Sequence, residues 1–212
     1  MLLPRSALSE RGRNMQIEKS ILTNLPQPPP ACGFKEWSMV CDALGAGAQS
    51  VILRKGGIHE GRSGFFWKNS AFFLFPTHFH EQGLQFPWPG GSTPPTAISD
   101  DAPHTITLLA TVDWKAQIDD WSAVERLAPF HFWSEQTIRE RYDYSEHTGI
   151  SMALVRVWRM NAPWRFPHQS KLGGCRSWLD LPEIPRNRDL RPVLEDARHA
   201  EISAAIERAL TA

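Results

Sequence analysis

The sequence predicts an α+β fold: a mixed, largely antiparallel sheet with a few helices and an amphipathic C-terminal helix. Three observations lead there. Short runs rich in β-branched and aromatic residues recur at 49–54, 72–75, 105–112 and 150–160, each flanked on at least one side by Gly or Pro. Between them stand only brief helical stretches, each introduced by a good capping residue, Asp119 or Asp120 and then Ser134. From Leu194 to Leu210, finally, Leu194, Ala197, Ile202, Ala205, Ile206, Ala209 and Leu210 recur at helical spacing beside Glu195, Arg198, Glu201 and Arg208.

Taken in order, residues 1–33 are expected to form a disordered or extended N-terminal tail, and 34–212 a single α+β domain. The first fourteen residues carry Arg5, Arg11 and Arg13 but no apolar stretch of signal-peptide length. Pro26, Pro28, Pro29 and Pro30 cannot donate backbone hydrogen bonds, so the chain there should be extended. Trp37–Leu44 and Gln49–Arg54 read as two strands joined by Gly45-Ala46-Gly47-Ala48, which predicts a β-hairpin. Gly56-Gly57 closes the second of them. Phe72–Phe75, stopped by Pro76, reads as a buried strand. Five prolines and two glycines between Gln85 and Pro103 predict a long loop. Thr105–Val112 should be a strand, 120–127 and 135–141 helices, and Ile150–Met160 a strand giving way at Asn161-Ala162-Pro163 to an irregular basic region.

Composition narrows the functional classes. The 212 residues are 42% apolar and 22% charged, the make-up of an ordinary globular domain. Lys plus Arg number 23 and Asp plus Glu number 23, so nothing pulls the whole chain toward nucleic acid or acidic lipid. No apolar run approaches the roughly 20 residues that a spanning helix requires, which argues against a membrane. Three widely spaced cysteines, Cys32, Cys41 and Cys175, suit neither a disulfide framework nor a zinc knuckle, and a cytoplasmic location follows as the expectation. The neutral total hides an asymmetry: residues 96–147 carry a net charge of −6, and 151–192 a net charge of +5. A basic block interleaved with Trp158, Trp164 and Trp178 is what phosphate contact plus base stacking would use. Mutual neutralisation of the two blocks within the fold is the alternative.

The densest chemistry lies between Arg54 and Gln82. Arg54-Lys55-Gly56-Gly57 places two cations beside glycines that let backbone N–H groups approach a phosphate or carboxylate, although a Gly-Gly pair is more often only a turn. His78-x-His80 on an extended segment puts two imidazoles on one face, where Glu60, Glu81 or His59 could complete a shell for a divalent metal ion. Lys55, Glu60 and His80 are therefore the catalytic candidates, and His78, His80 and Glu60 the metal candidates. Arg54, Lys55, Gly56, Gly57, Arg176 and Trp178 are the binding candidates. Asp113-Trp114-Lys115 has the look of half of a nuclease core, with Asp100 or Asp101 as a further acid, but three residues match readily by chance. Cys175 with His168 nearby is a nucleophile reading that spacing alone does not support.

Phe34-Lys35-Glu36-Trp37, Ile52-Leu53-Arg54-Lys55-Gly56-Gly57-Ile58-His59-Glu60 and Phe73-Leu74-Phe75-Pro76-Thr77 with His80 resemble a bacterial family catalogued as domain of unknown function 1802. His131-Phe132-Trp133, Arg141-Tyr142, Val155-Arg156-Val157-Trp158-Arg159 and Gly174-Cys175-Arg176-Ser177-Trp178 extend the resemblance to Leu181. Where that family tends to read P-T-x-x-H-Q, His80 here is followed by Glu81 and only then by Gln82. Some relatives are similar in carrying a restriction-endonuclease-like domain. The resemblance thus implies a nucleic-acid-associated binding module linked to DNA restriction and modification, with nucleic acid or a partner nuclease as partner. Two other classes stay open: a metal- or acid/base-dependent hydrolase built on Lys55, Glu60 and His80, and an interaction protein that needs only the nine tryptophans and the Pro-rich loop.

Overall fold

A computed structural model describes residues 17–19, 29–55, 65–78, 82–90, 102–144, 148–182, 184 and 189–212. The fold is α+β, as the strand-rich pattern with a terminal helix predicts. Its strands are β1 (Ile17–Lys19), β2 (Cys32–Trp37), β3 (Val51–Arg54), β4 (Ala71–Thr77), β5 (His104–Ile118), β6 (Ile150–Phe166), β7 (Trp178–Asp180) and β8 (Leu190–Pro192). The α-helices are α1 (Ser38–Gly45), α2 (Gln82–Gln85), α3 (Trp121–Glu125), α4 (Glu135–Asp143) and α5 (Asp196–Thr211).

The strands form one sheet in the order β3-β6-β5-β4-β2-β7, with β1 added to β5 and β8 to β6. Among the described residues only β2 and β4 run parallel; the other pairings are antiparallel. The sheet curls back on itself, because Arg54 at the end of β3 donates to Lys35 O on β2 although β6, β5 and β4 lie between them in the order. Phe34, Phe72, Leu74, Ala110, Val112 and Leu154 belong to the larger of two buried clusters, which includes Ile206 and Leu210 of α5. Phe73, Phe75, Leu109, Trp164 and Leu179 belong to the smaller. A register shift between Ile106 and Leu108 switches which side chains of β5 point to each face, so Ile106 and Leu109 share the smaller cluster while Leu108 joins the larger.

The expected hairpin at 37–54 does not form. Ser38–Gly45 is a helix buried on nearly every side, and β3 pairs with β6 instead of with its predecessor. An all-round apolar segment carries no period with which to tell a buried strand from a buried helix, and Met39, Ala43 and Leu44 favour the latter. The glycines taken for a hairpin turn end that helix: Gly47 has φ +70°, Gly47 N–H bonds Leu44 O at 3.1 Å and Ala48 N–H bonds Ala43 O at 3.0 Å. Two strands outrun their expected ends. β5 continues past Val112 to Ile118, and β6 continues through Pro163 to Phe166, so part of the supposedly irregular basic region is ladder. The helix starts at Asp120 and Ser134 hold; their side chains accept from Ser122 N–H and Thr137 N–H. Ile17–Lys19, within the stretch read as tail, pairs with β5, and β2 opens at Cys32.

Candidate functional site

The parallel pair β2 and β4 ends where the curled sheet also brings the end of β3. Alternation along β2 sends Phe34 and Glu36 to one face and Lys35 to the other. Glu36 is 1% exposed, and its Oε1 accepts from Trp37 N–H at 2.8 Å. The Arg54 guanidinium covers the Phe34 ring at 4.6 Å, donates to Lys35 O, and brings its Nε to 3.8 Å from Glu36 Oε2. Thr77, the last residue of β4, donates from its hydroxyl to Glu36 O at 3.1 Å. Two strand ends that the sequence singles out as rich in charge thus meet at one glutamate.

A second set of residues closes over it from α4. Buried Gln49 holds the preceding loop, donating to Val51 O at 2.7 Å and accepting from Phe132 N–H at 3.2 Å. Trp133 is seated against Phe86 and Trp37, with ring centroids 5.0 and 4.7 Å away. About two turns along α4, the Arg141 guanidinium lies over Trp133 at 3.6 Å and near Trp37 at 5.3 Å. Burial pulls its pKa down to about 10, Glu36 opposing and Arg54 adding to the fall, so it stays charged at neutral pH. No carboxylate among the described residues lies within ion-pair distance of it. His131 Nδ1 accepts from Trp133 N–H at 3.2 Å, which leaves the proton on Nε2. Burial, with Arg141 adding, lowers the His131 pKa to about 4 and keeps the ring neutral. His131 Nε2 and Arg54 Nε are both buried without a hydrogen-bond partner among the described residues.

The site is therefore rich in donors: among the described residues two guanidinium groups and an imidazole N–H gather about one carboxylate, within aromatic walls. Chemically it suits an anion with several acceptor oxygens.

The sequence candidates distribute unevenly about it. Arg54 is at its centre, and Trp178 shares its support, packing on Phe34 with centroids 4.8 Å apart. Lys55 turns away: its Nζ donates to Tyr142 O at 3.1 Å and Gly149 O at 2.9 Å, tying the end of β3 to the C-terminus of α4. Burial lowers its pKa, with Asp119 and Asp143 opposing. His78 is exposed just past β4, and partial burial lowers its pKa against the pull of Asp42. Arg176 is exposed on the loop before β7. Gly56, Gly57, Glu60 and His80 lie outside the described residues, as do His59, Glu81, Asp100 and Asp101. No group of three or more His, Cys, Asp or Glu placed to hold a metal ion occurs among the described residues. Asp113 and Lys115 of the nuclease-like triplet sit within β5 on other business, Asp113 with His199 at 2.5 Å and Lys115 with Glu18 at 3.1 Å. Glu36, His131 and Arg141 were missed as chemistry. Their signal was present all the same, because each stands in a string that carries the family resemblance.

The charged blocks do not cancel as pairs. Arg156 bonds Asp196 of α5, and Arg159 donates to Gly45 O at 2.5 Å. Among the described residues no ion pair joins 96–147 to 151–192. No helix among them is long and apolar enough to cross a membrane.

A curled α+β sheet with a donor-rich site at its strand ends is the class that fold and site define. The family pattern for Domain of unknown function (DUF1802) matches residues 33–205. The chain belongs to that family. Solved structures similar to it include ASCH from Zymomonas mobilis, 12% identical, with 82% of this chain and 93% of that one covered at a TM-score of 0.43. A variant of the same protein is 12% identical over 73% and 92% of the two chains at 0.45, and another is 14% identical over 72% and 90% at 0.43. No curated protein matches the sequence.

Proposed function

We propose that the protein is a nucleic-acid-binding module that takes a backbone phosphate at the strand-end site, acting in DNA restriction and modification beside a partner nuclease. The observation that carries this reading is the Arg141 guanidinium. It lies 3.6 Å over Trp133 with no carboxylate in ion-pair reach among the described residues, beside the buried Nε2 of His131 and Nε of Arg54, neither of which has a hydrogen-bond partner among them. Donors without acceptors call for an acceptor from outside, and a phosphodiester supplies charge and oxygen together. The link to restriction and modification rests on the family resemblance.

The test is fluorescence anisotropy with short single- and double-stranded DNA and RNA at about 50 mM salt, where electrostatic affinity is strong. Arg141→Gln should weaken binding to all sequences and reduce the slope of log affinity against log salt by about one. Absence of binding to any of these probes, or an unchanged affinity for folded Arg141→Gln, refutes the reading.

A further inference from the structure

We propose that Lys35, His104, His168 and Arg176 form a second anion site, for a phosphate-type oxyanion, on the face of β2 opposite Glu36. It stands independently of the strand-end reading, since none of its residues belongs to that cluster.

The geometry follows from strand alternation. Lys35 pairs with Phe75 of β4, so the two side chains share a face. The Phe75 ring contacts His104 at 4.9 Å between centroids, and His104 lies 5.1 Å from His168. Phe166 packs on His104 at 5.3 Å and completes an apolar floor. Lys35 Nζ donates to Gly174 O at 2.7 Å, and Lys35 N–H donates to Ser177 O at 2.8 Å, so the loop carrying Arg176 is clipped to the lysine at both ends. His104 Nε2 accepts from Gln169 N–H at 3.3 Å, which directs the ring proton to Nδ1.

Apart from the Cys175 thiol, the titratable groups that face this centre among the described residues are cations or can become so. Lys35 comes from β2, His104 from β5, His168 from the segment after β6, and Arg176 from the loop before β7, with the exposed thiol of Cys175 beside it. Arg165 pairs with Thr105 and takes the other face. None of the four has a carboxylate in ion-pair reach among the described residues. The electrostatics agree. Burial lowers the Lys35 pKa, with Arg176 adding to the fall, and burial lowers that of His104, with His168 and Lys35 adding. Such mutual repulsion is relieved by an anion, and protonation of His104 strengthens the attraction. Affinity should therefore rise as pH falls.

Calorimetric titration of the full chain with inorganic phosphate at pH 7.5 tests the site, and sulfate, whose charge does not change, tests its pH dependence. Sulfate should bind about tenfold more tightly at pH 5.5 than at pH 7.5. Lys35→Gln and, separately, the exposed and structurally undemanding Arg176→Gln should each weaken phosphate by about tenfold. His104→Gln should flatten the pH dependence. A short oligonucleotide distinguishes the sources of the phosphate: competition with inorganic phosphate that Arg176→Gln weakens assigns a nucleic-acid backbone, and indifference assigns a free phosphate compound. No uptake of either anion at tens of millimolar, or uptake that folded Arg176→Gln leaves unchanged, overturns the proposal.

Discussion

Replacing Glu36 by Gln removes one negative charge and little else. The amide keeps an oxygen to accept from Trp37 N–H, a bond of 2.8 Å, and is nearly isosteric with the carboxylate. What changes is the field at two arginines. Arg54 Nε lies 3.8 Å from Glu36 Oε2, at side-chain exposures of 17% and 1%. Two unit charges about 4 Å apart attract by about 4 kcal/mol at an effective dielectric of about 20. Arg141 adds a further, longer attraction to Glu36. Stranding buried charge by removing its partner costs about 3 to 5 kcal/mol, which for a chain of this size lowers Tm by roughly 6 to 20 °C. Urea unfolding and thermal melts of Glu36→Gln, Arg54→Gln and the double variant give the coupling directly, and the double variant should lose less than the sum. A second readout moves the opposite way. With the carboxylate gone its repulsion of phosphate is removed, so oligonucleotide affinity, measured at about 10 °C where the variant stays folded, should increase. A Glu36→Gln protein melting within about 2 °C of wild type would refute the reasoning, for the arginines would then be held by something other than this charge.

Other outcomes follow from the same structure. Trp178→Ala empties a place among Phe34, Phe65, Trp67 and Phe72, whose ring centroids lie 4.8 to 6.5 Å away; a loss of about 3 kcal/mol is expected in chemical denaturation, and Trp178→Phe should recover part of it. His131 has a folded pKa of about 4 against an ordinary 6.5, so between those values the unfolded chain binds more protons. Its contribution is intact above about 6.5 and is lost as pH falls toward 4, by up to about 1.4 kcal/mol per pH unit; melts of wild type and His131→Gln should diverge in that window, and parallel curves would show that His131 is not buried neutral. Gly149 has φ +133°, and a Cβ there would stand 2.5 Å from Asp119 Oδ1. Gly149→Ala should cost about 1 to 3 kcal/mol, and it should loosen the Lys55 anchor, seen as faster amide exchange at the end of α4.

What was legible in the sequence, and what was not, divides along physical lines. Local chemistry could be read: Asp120 and Ser134 cap helices through bonds that involve only the next three residues, and α5 shows its buried stripe in one segment. Ser38–Gly45 could not, because a segment buried on all sides has no polar face to mark its period. The reach of β5 and β6 was hidden for another reason. Lys115 and Arg165 look like loop residues until a partner strand is known, and their places in the ladder are set by pairing across long stretches of chain. At the site, Arg54 was legible because it stands beside strand-ending glycines, whereas Glu36 and Arg141 are 105 positions apart in numbering and meet only through the curl of the sheet.

A buried ionic cluster need not be a site, so the bland account of Glu36, Arg54 and Arg141 is that they are core polarity, comparable to the His199–Asp113 pair that docks α5. The two cases differ in how completely they are satisfied. His199 Nε2 and Asp113 Oδ2 meet at 2.5 Å. At the strand ends, by contrast, Arg54 Nε and His131 Nε2 are buried with no hydrogen-bond partner among the described residues, Arg54 Nε standing 3.8 Å from Glu36, and Arg141 rests on an aromatic face with no carboxylate among them in ion-pair reach. Unmet donors cost about 1 to 3 kcal/mol each, and a fold that tolerates two of them beside two like charges holds strain that packing does not explain. An incoming anion would relieve both costs at once. That predicts a ligand-dependent stability: in Arg176→Gln protein, where the second anion site is weakened, saturating oligonucleotide should stabilise the fold by about 2.7 kcal/mol at a hundredfold excess over Kd and so raise the Tm. With Arg141→Gln added the rise should largely vanish. A core cluster without a ligand would show no such rise in either protein.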